Sequence, residues 1–173
     1  MNKTALHILR FITLVLLQVL VINHIRLGGY VHPSVYLLFI MLLPVNMPGW
    51  QLLVLGFSMG LTVDLFTGTP GLHAGATTLL AFCRPGIIKL ISGTQKFESI
   101  HEPNLHQLDG MWFLRYTISC VFVHHFALFF LESFSLHLIG QILLRIVLSV
   151  PVSVFLIMMI LYIFKSNKKG EMR

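Results

Sequence analysis

Apolar residues fill this chain in long blocks, and short polar stretches punctuate them. Six blocks stand out, over 6–25, 33–47, 50–66, 71–91, 112–131 and 136–164. A block of about 20 apolar residues, rising about 1.5 Å per residue as a helix, reaches across the roughly 30 Å hydrocarbon core of a bilayer. The pattern therefore predicts an all-α integral membrane protein: one domain over residues 1–173, built as a six-transmembrane-helix bundle. The breaks have their own chemistry. Gly28-Gly29 closes the first block, Asn46-Met47-Pro48-Gly49 makes a turn after the second, and Thr67-Gly68-Thr69-Pro70-Gly71 makes a tight turn between the third and fourth. Pro33 suits the first turn of the second helix, where its missing N–H costs nothing. That block is short for a span and contains Pro44, so a thin, tilted helix or a re-entrant element both fit it. Trp50 opens the third span at an interface position. Arg84-Pro85 should kink the fourth span or end its regular part, and Pro151 should bend the long last one. Residues 92–109 are too polar to cross and too short to form a domain, and 165–173 read as a solvated basic tail.

Composition agrees with this class. The 173 residues are 56% hydrophobic and 10% charged, and mean hydropathy is +0.85. A net charge of +6 could point to nucleic acid, but the basic residues cluster at the ends of apolar blocks, where they act as topology signals. With six spans and the N-terminus inside, Lys3, Arg10, Arg84, Lys89, Lys96, Arg115, Lys165, Lys168, Lys169 and Arg173 fall on or near the cytoplasmic side. Only Arg26 lies outside, and Arg145 lies within a span. Both termini and the 92–109 loop are thus expected in the cytoplasm. Lys3 and Arg10 before an apolar run resemble a signal peptide, but no small-x-small cleavage site follows, so the first helix reads as retained.

The most informative stretch runs from Gly56 to Ala81. Gly56, Gly60 and Asp64 stand four apart and share one helical face; Gly71 and Gly75 repeat the spacing beside Ala74 and Thr78. Small residues at that spacing let helix backbones approach closely in lipid. These are the candidate helix-packing or partner-binding residues. A carboxylate inside a span is costly, so Asp64 needs a partner or a wet cavity. Arg145, about 14 Å into the last block, has the same need, and Asp64 and Glu132 are its two candidate ion-pair partners.

Catalytic and metal chemistry find little footing. Nine histidines include His124-His125 and His73, but adjacent histidines point about 100° apart on a helix, and no HExxH spacing occurs. A structural or interfacial role is expected for them. Cys83 and Cys120 lie inside apolar blocks without CxxC spacing and read as small buried hydrophobes. No GxSxG, P-loop or phosphate cradle is present. The expectation is a chain with no catalytic residues, metal or cofactor, and with the lipid bilayer rather than nucleic acid as its surroundings.

The segment GFSMGLTVDLFTGTPGLHAGATTLLAF, through Gly56, Gly60, Asp64, Gly71 and Ala74, resembles the hallmark hairpin of the rod shape-determining MreD family. Pro33 resembles the proline that opens that family's second helix, and length and span number agree across nearly the whole chain. The resemblance implies a non-enzymatic membrane scaffold of the bacterial cell-elongation machinery. Its implied partners are an MreC-like protein, MreB, RodA and the elongation transpeptidase, in the inner membrane. The family is similar in fold to the substrate-binding S components of energy-coupling-factor transporters. A binding subunit for a small, vitamin-like molecule is therefore the alternative, with Asp64, His73 and Arg145 as possible cavity-lining residues.

Overall fold

The computed structural model describes residues 3–25, 31–97, 110–133 and 139–170. Six α-helices appear among the described residues, in chain order: α1 (Lys3–Leu16), α2 (Leu37–Met41), α3 (Gly49–Thr67), α4 (Leu72–Phe97), α5 (Gly110–Ser133) and α6 (Ile139–Gly170). A π-helical turn, Leu17–Val21, and a 3-10 turn, Ile22–His24, carry α1 onward. The protein is an all-α, multi-pass membrane protein: five helical stretches among the described residues are long and apolar enough to cross a bilayer. They are Ala5–His24, Gly49–Thr67, Leu72–Ser92, Gly110–Ser133 and Ile139–Ile163. Helices α3, α4, α5 and α6 pack as successive neighbours.

The expected second span does not form as a long helix. Of block 33–47, only Leu37–Met41 is α-helical; the rest is extended or turned. The physical reason lies in what surrounds it. Val35 through Met41 are at most 3% exposed, so this stretch meets protein on every side and has no lipid face. Non-helical backbone at membrane depth is tolerated only in such a setting, since each unsatisfied peptide group in hydrocarbon costs several kcal/mol. Pro33 and Pro44 bracket the block and leave too little uninterrupted sequence for a long helix. Pro33 therefore opens an irregular passage and not a second span helix.

Side chains on the neighbouring helices take over the hydrogen bonds that a helix would have made for itself. Gln18, on the π turn, accepts from the Val35 N–H (2.8 Å) and donates to the Pro33 carbonyl (2.9 Å). The N–H groups of His32 and Ser34 donate to Ser149 Oγ (3.1 Å) and Ser153 Oγ (3.0 Å) of α6. At the other end, Arg84 of α4 donates to the carbonyls of Met41 (3.4 Å), Leu43 and Pro44 (3.3 Å). Tyr116 of α5 adds a bond to the Met41 carbonyl at 3.1 Å. These contacts fix the direction of the passage. Its start lies beside Gln18 and its middle beside Phe11, whose ring meets Phe39 edge-on at 5.3 Å, so it runs antiparallel to α1. It moves along α5 from the level of His125 to that of Tyr116.

Other boundaries shift as well. Pro85 lies inside α4, which continues to Phe97, and Pro151 lies inside α6. Each proline removes one ladder bond, but packing and the absence of competing water keep the helices continuous. The first part of the 92–109 connection is therefore helical, while 98–109 lies outside the described residues. Ser92 Oγ accepts from Trp112 Nε1 at 2.9 Å, tying α4 to the start of α5. Helix α6 runs on through most of the expected tail, and 134–138, the expected start of its block, lies outside the described residues.

Candidate functional site

Two polar constructions stand out within this apolar bundle, and both lie toward the end of the bundle where α3 turns into α4. The first is that turn. Helix α3 ends on Gly68, whose φ of 69° is the left-handed conformation glycine adopts without strain, and its N–H donates to the Asp64 carbonyl at 2.9 Å. Gly71 also needs its glycine, at φ 87°.

Asp64, 2% exposed, turns its carboxylate onto the start of α4. Oδ1 accepts from Thr69 Oγ1 (2.9 Å) and the His73 N–H (3.0 Å). Oδ2 accepts from the N–H groups of Gly71 (3.1 Å) and Ala74 (2.9 Å). The first turn of any helix leaves N–H groups without partners inside the helix, and its dipole favours a negative charge there. Asp64 thus caps α4 from the preceding helix, and the cost of burying a carboxylate is met by peptide donors without a cation.

The glycines of the same face set how closely the two helices approach. A Cβ on Gly60 would collide with the His73 carbonyl and stand 2.5 Å from Ala74 Cα. On Gly56 it would stand 2.8 Å from Ala81 Cβ and 3.1 Å from the Thr77 carbonyl oxygen. Backbone cannot yield as a side chain can, so Gly60 is the tightest point of the seam. Gly75 faces the other way, where a Cβ would be 3.1 Å from the mobile end of Leu131 on α5. Ala74, 1% exposed, lies in the seam itself.

Arg145 takes the second of its two candidate partners. Its guanidinium pairs with Glu132 through Nη1–Oε2 (2.9 Å) and Nη2–Oε1 (3.2 Å). It also lies 4.4 Å from the Phe129 ring centroid, and Nη2 donates to His32 Nε2 at 3.1 Å. Asp64 and Arg145 therefore do not form the expected ion pair: both Asp64 oxygens are taken by α4, and Arg145 lies against α5.

The second construction is a histidine cluster around the irregular passage. Tyr36 OH bridges His73 Nδ1 (2.9 Å) and His124 Nε2 (2.7 Å), and the two imidazoles stack at 6.4 Å. His124 Nδ1 is buried without a hydrogen-bond partner. His125, beside it, places Nδ1 2.9 Å from the Val121 carbonyl oxygen and Nε2 3.0 Å from the His32 carbonyl oxygen. Ser153 Oγ is 3.3 Å from that same Nε2. A hydroxyl beside an imidazole suggests a nucleophile, but Ser153 and His125 are both completely buried and Ser153 already holds the Ser34 N–H. A substrate has no approach to it.

Among the described residues, no group of three or more His, Cys, Asp or Glu is placed to hold a metal ion. Cys83 and Cys120 are free thiols, the latter fully buried. Reading residues one at a time misses Gln18, Arg84, Tyr116, Ser149 and Ser153 as a set. Their shared signal is modest: polar side chains inside apolar blocks, all turned toward one segment. No protein-family model, no curated protein and no solved structure matches the chain.

Proposed function

We propose that this chain is a non-enzymatic membrane scaffold of the bacterial cell-elongation machinery, acting as MreD-type proteins act. In this reading it lies in the inner membrane and crosses it six times, with five helices and the irregular passage. Both termini face the cytoplasm. Its helices offer surfaces to an MreC-like protein and, through it, to MreB, RodA and the elongation transpeptidase. One observation carries the reading. Asp64 and Gly60, central to the resembling hairpin, are both spent on holding α3 closely against α4, which gives the two helices a fixed spacing and engages the carboxylate in structure. Helices associate in lipid through close packing, and a helix pair held at fixed spacing presents a defined surface for such packing.

The buried cluster of Tyr36, His73 and His124 favours a second reading, a binding subunit for a small polar molecule in a transporter. One experiment separates the two. The tagged protein is captured from gently solubilised membranes of its own host, and the host is depleted of it in parallel. The scaffold reading expects co-capture of an MreC-like protein and loss of rod shape on depletion. Capture of an ATPase and an energising membrane subunit, with cell shape unchanged, would replace it with the transport reading.

A further inference from the structure

The hydrogen-bond geometry of His125 sets a condition on its protonation. Carbonyl oxygens only accept, yet both ring nitrogens of His125 face one: Val121 at 2.9 Å and His32 at 3.0 Å. A neutral imidazole carries a single N–H. It would satisfy one carbonyl and turn a lone pair toward the other, and the ring itself is fully buried. Only the doubly protonated ring donates to both.

A donor for the neutral ring is also present. Ser153 Oγ lies 3.3 Å from Nε2 and has a hydroxyl proton to give, while its oxygen accepts from the Ser34 N–H. We propose that His125 is a buried proton-binding site that latches the irregular passage to α5. With its proton, the ring ties the His32 carbonyl to α5. Without it, Nε2 takes the Ser153 hydroxyl and releases that carbonyl, freeing the start of the passage from one of its anchors.

The surrounding charges permit this. On α5 itself, the His124 ring sits edge-on at 5.4 Å, and Glu132 lies about two turns further along. From α6 comes Arg145, whose charge is offset by its pairing with Glu132. From the passage come His32, whose Nε2 accepts from Arg145, and Tyr36, which donates or accepts between His73 of α4 and His124. Burial opposes a cation, as does a proton on any neighbouring histidine. Two charge-assisted bonds to carbonyls favour it. The site therefore holds its proton at low pH and loses it as pH rises.

The test is nitrogen-15 magnetic resonance of histidine-labelled, otherwise unaltered protein in lipid, between about pH 5 and about pH 9. The His125 signals are assigned by their loss in His125→Gln. If that variant does not fold, they are assigned by contact between Nδ1 and a carbon-13 carbonyl of labelled valine at Val121. The expected result is two protonated ring nitrogens at the acid end. At the alkaline end, Nε2 becomes bare, and Ser153→Ala moves that change to higher pH by removing the competing donor. A ring with one bare nitrogen throughout, or two protonated nitrogens throughout, overturns the proposal, as does an unmoved transition in Ser153→Ala.

Discussion

Replacing Asp64 with asparagine isolates the cap from the shape of the side chain. Asparagine keeps one accepting oxygen and puts an NH₂ where the other stood. Of the four bonds to the carboxylate, the NH₂ then faces either the Gly71 and Ala74 N–H groups or the His73 N–H and the Thr69 hydroxyl; the hydroxyl can turn and accept, so at least one peptide N–H is left donor facing donor. A hydrogen bond to a charged group contributes about 1.5–3 kcal/mol, and those that survive become neutral and weaker. Allowing for non-additivity within one network, the loss comes to about 3–4 kcal/mol. At 2% exposure, no solvent stands ready to take over. Thr69→Val removes the one hydroxyl donor and leaves the three peptide N–H donors in place, at a cost of about 1 kcal/mol. Both variants, purified in mild detergent and unfolded by titration with a denaturing detergent, can be followed by circular dichroism. A change within about 0.5 kcal/mol of the unaltered protein for Asp64→Asn would refute the cap. The carboxylate would then be wetted or turned toward a partner.

Three further outcomes follow from the same geometry. Gly60→Ala forces a methyl into the α4 backbone and should destabilise by about 1–3 kcal/mol, whereas Gly86→Ala, in open space on α4, should be neutral or stabilise by up to about 1 kcal/mol in the same titration. Arg84→Met strips donors from three carbonyls of the passage and should cost about 3 kcal/mol or more; Arg84→Lys should recover only part, since one ammonium cannot span the acceptors. In double-mutant cycles, Glu132→Gln with Arg145→Gln should show coupling of about 0.5–1 kcal/mol for this half-exposed pair, while Asp64→Asn with Arg145→Gln should be additive to within about 0.5 kcal/mol.

What could be read from the chain, and what could not, follows from which interactions leave a mark on residue type. Hydrocarbon demands unbroken apolar sequence, so the five long helices are visible as blocks. Close helix contact demands missing side chains, so Gly56 and Gly60 are visible as a four-residue spacing. The partners of Asp64 were not visible, because three of them are peptide N–H groups at the start of α4, and a peptide group has no letter of its own. Charge alone suggested Arg145 instead. The irregular passage was hidden for a related reason. Burial on every side makes 33–47 as apolar as a lipid-facing span, so hydropathy cannot tell the two apart. Its traces were Pro33 and Pro44 within the block, and Gln18, Arg84, Ser149 and Ser153 in others, whose common target only the fold reveals.

The account turns on the chain between α1 and α3 crossing the membrane without a full helix, since that passage sets the sidedness of everything after it. Single cysteines at Val31 and Asn46, in a protein whose Cys83 and Cys120 are replaced by alanine, measure this most directly. Val31 lies just before the passage and Asn46 in the exposed turn near its end. With a membrane-impermeant maleimide on intact cells, the cysteine at 31 should label and the one at 46 should label only after the membrane is opened. Labelling of both from the same side would contradict the crossing, and with it the placing of both termini in the cytoplasm.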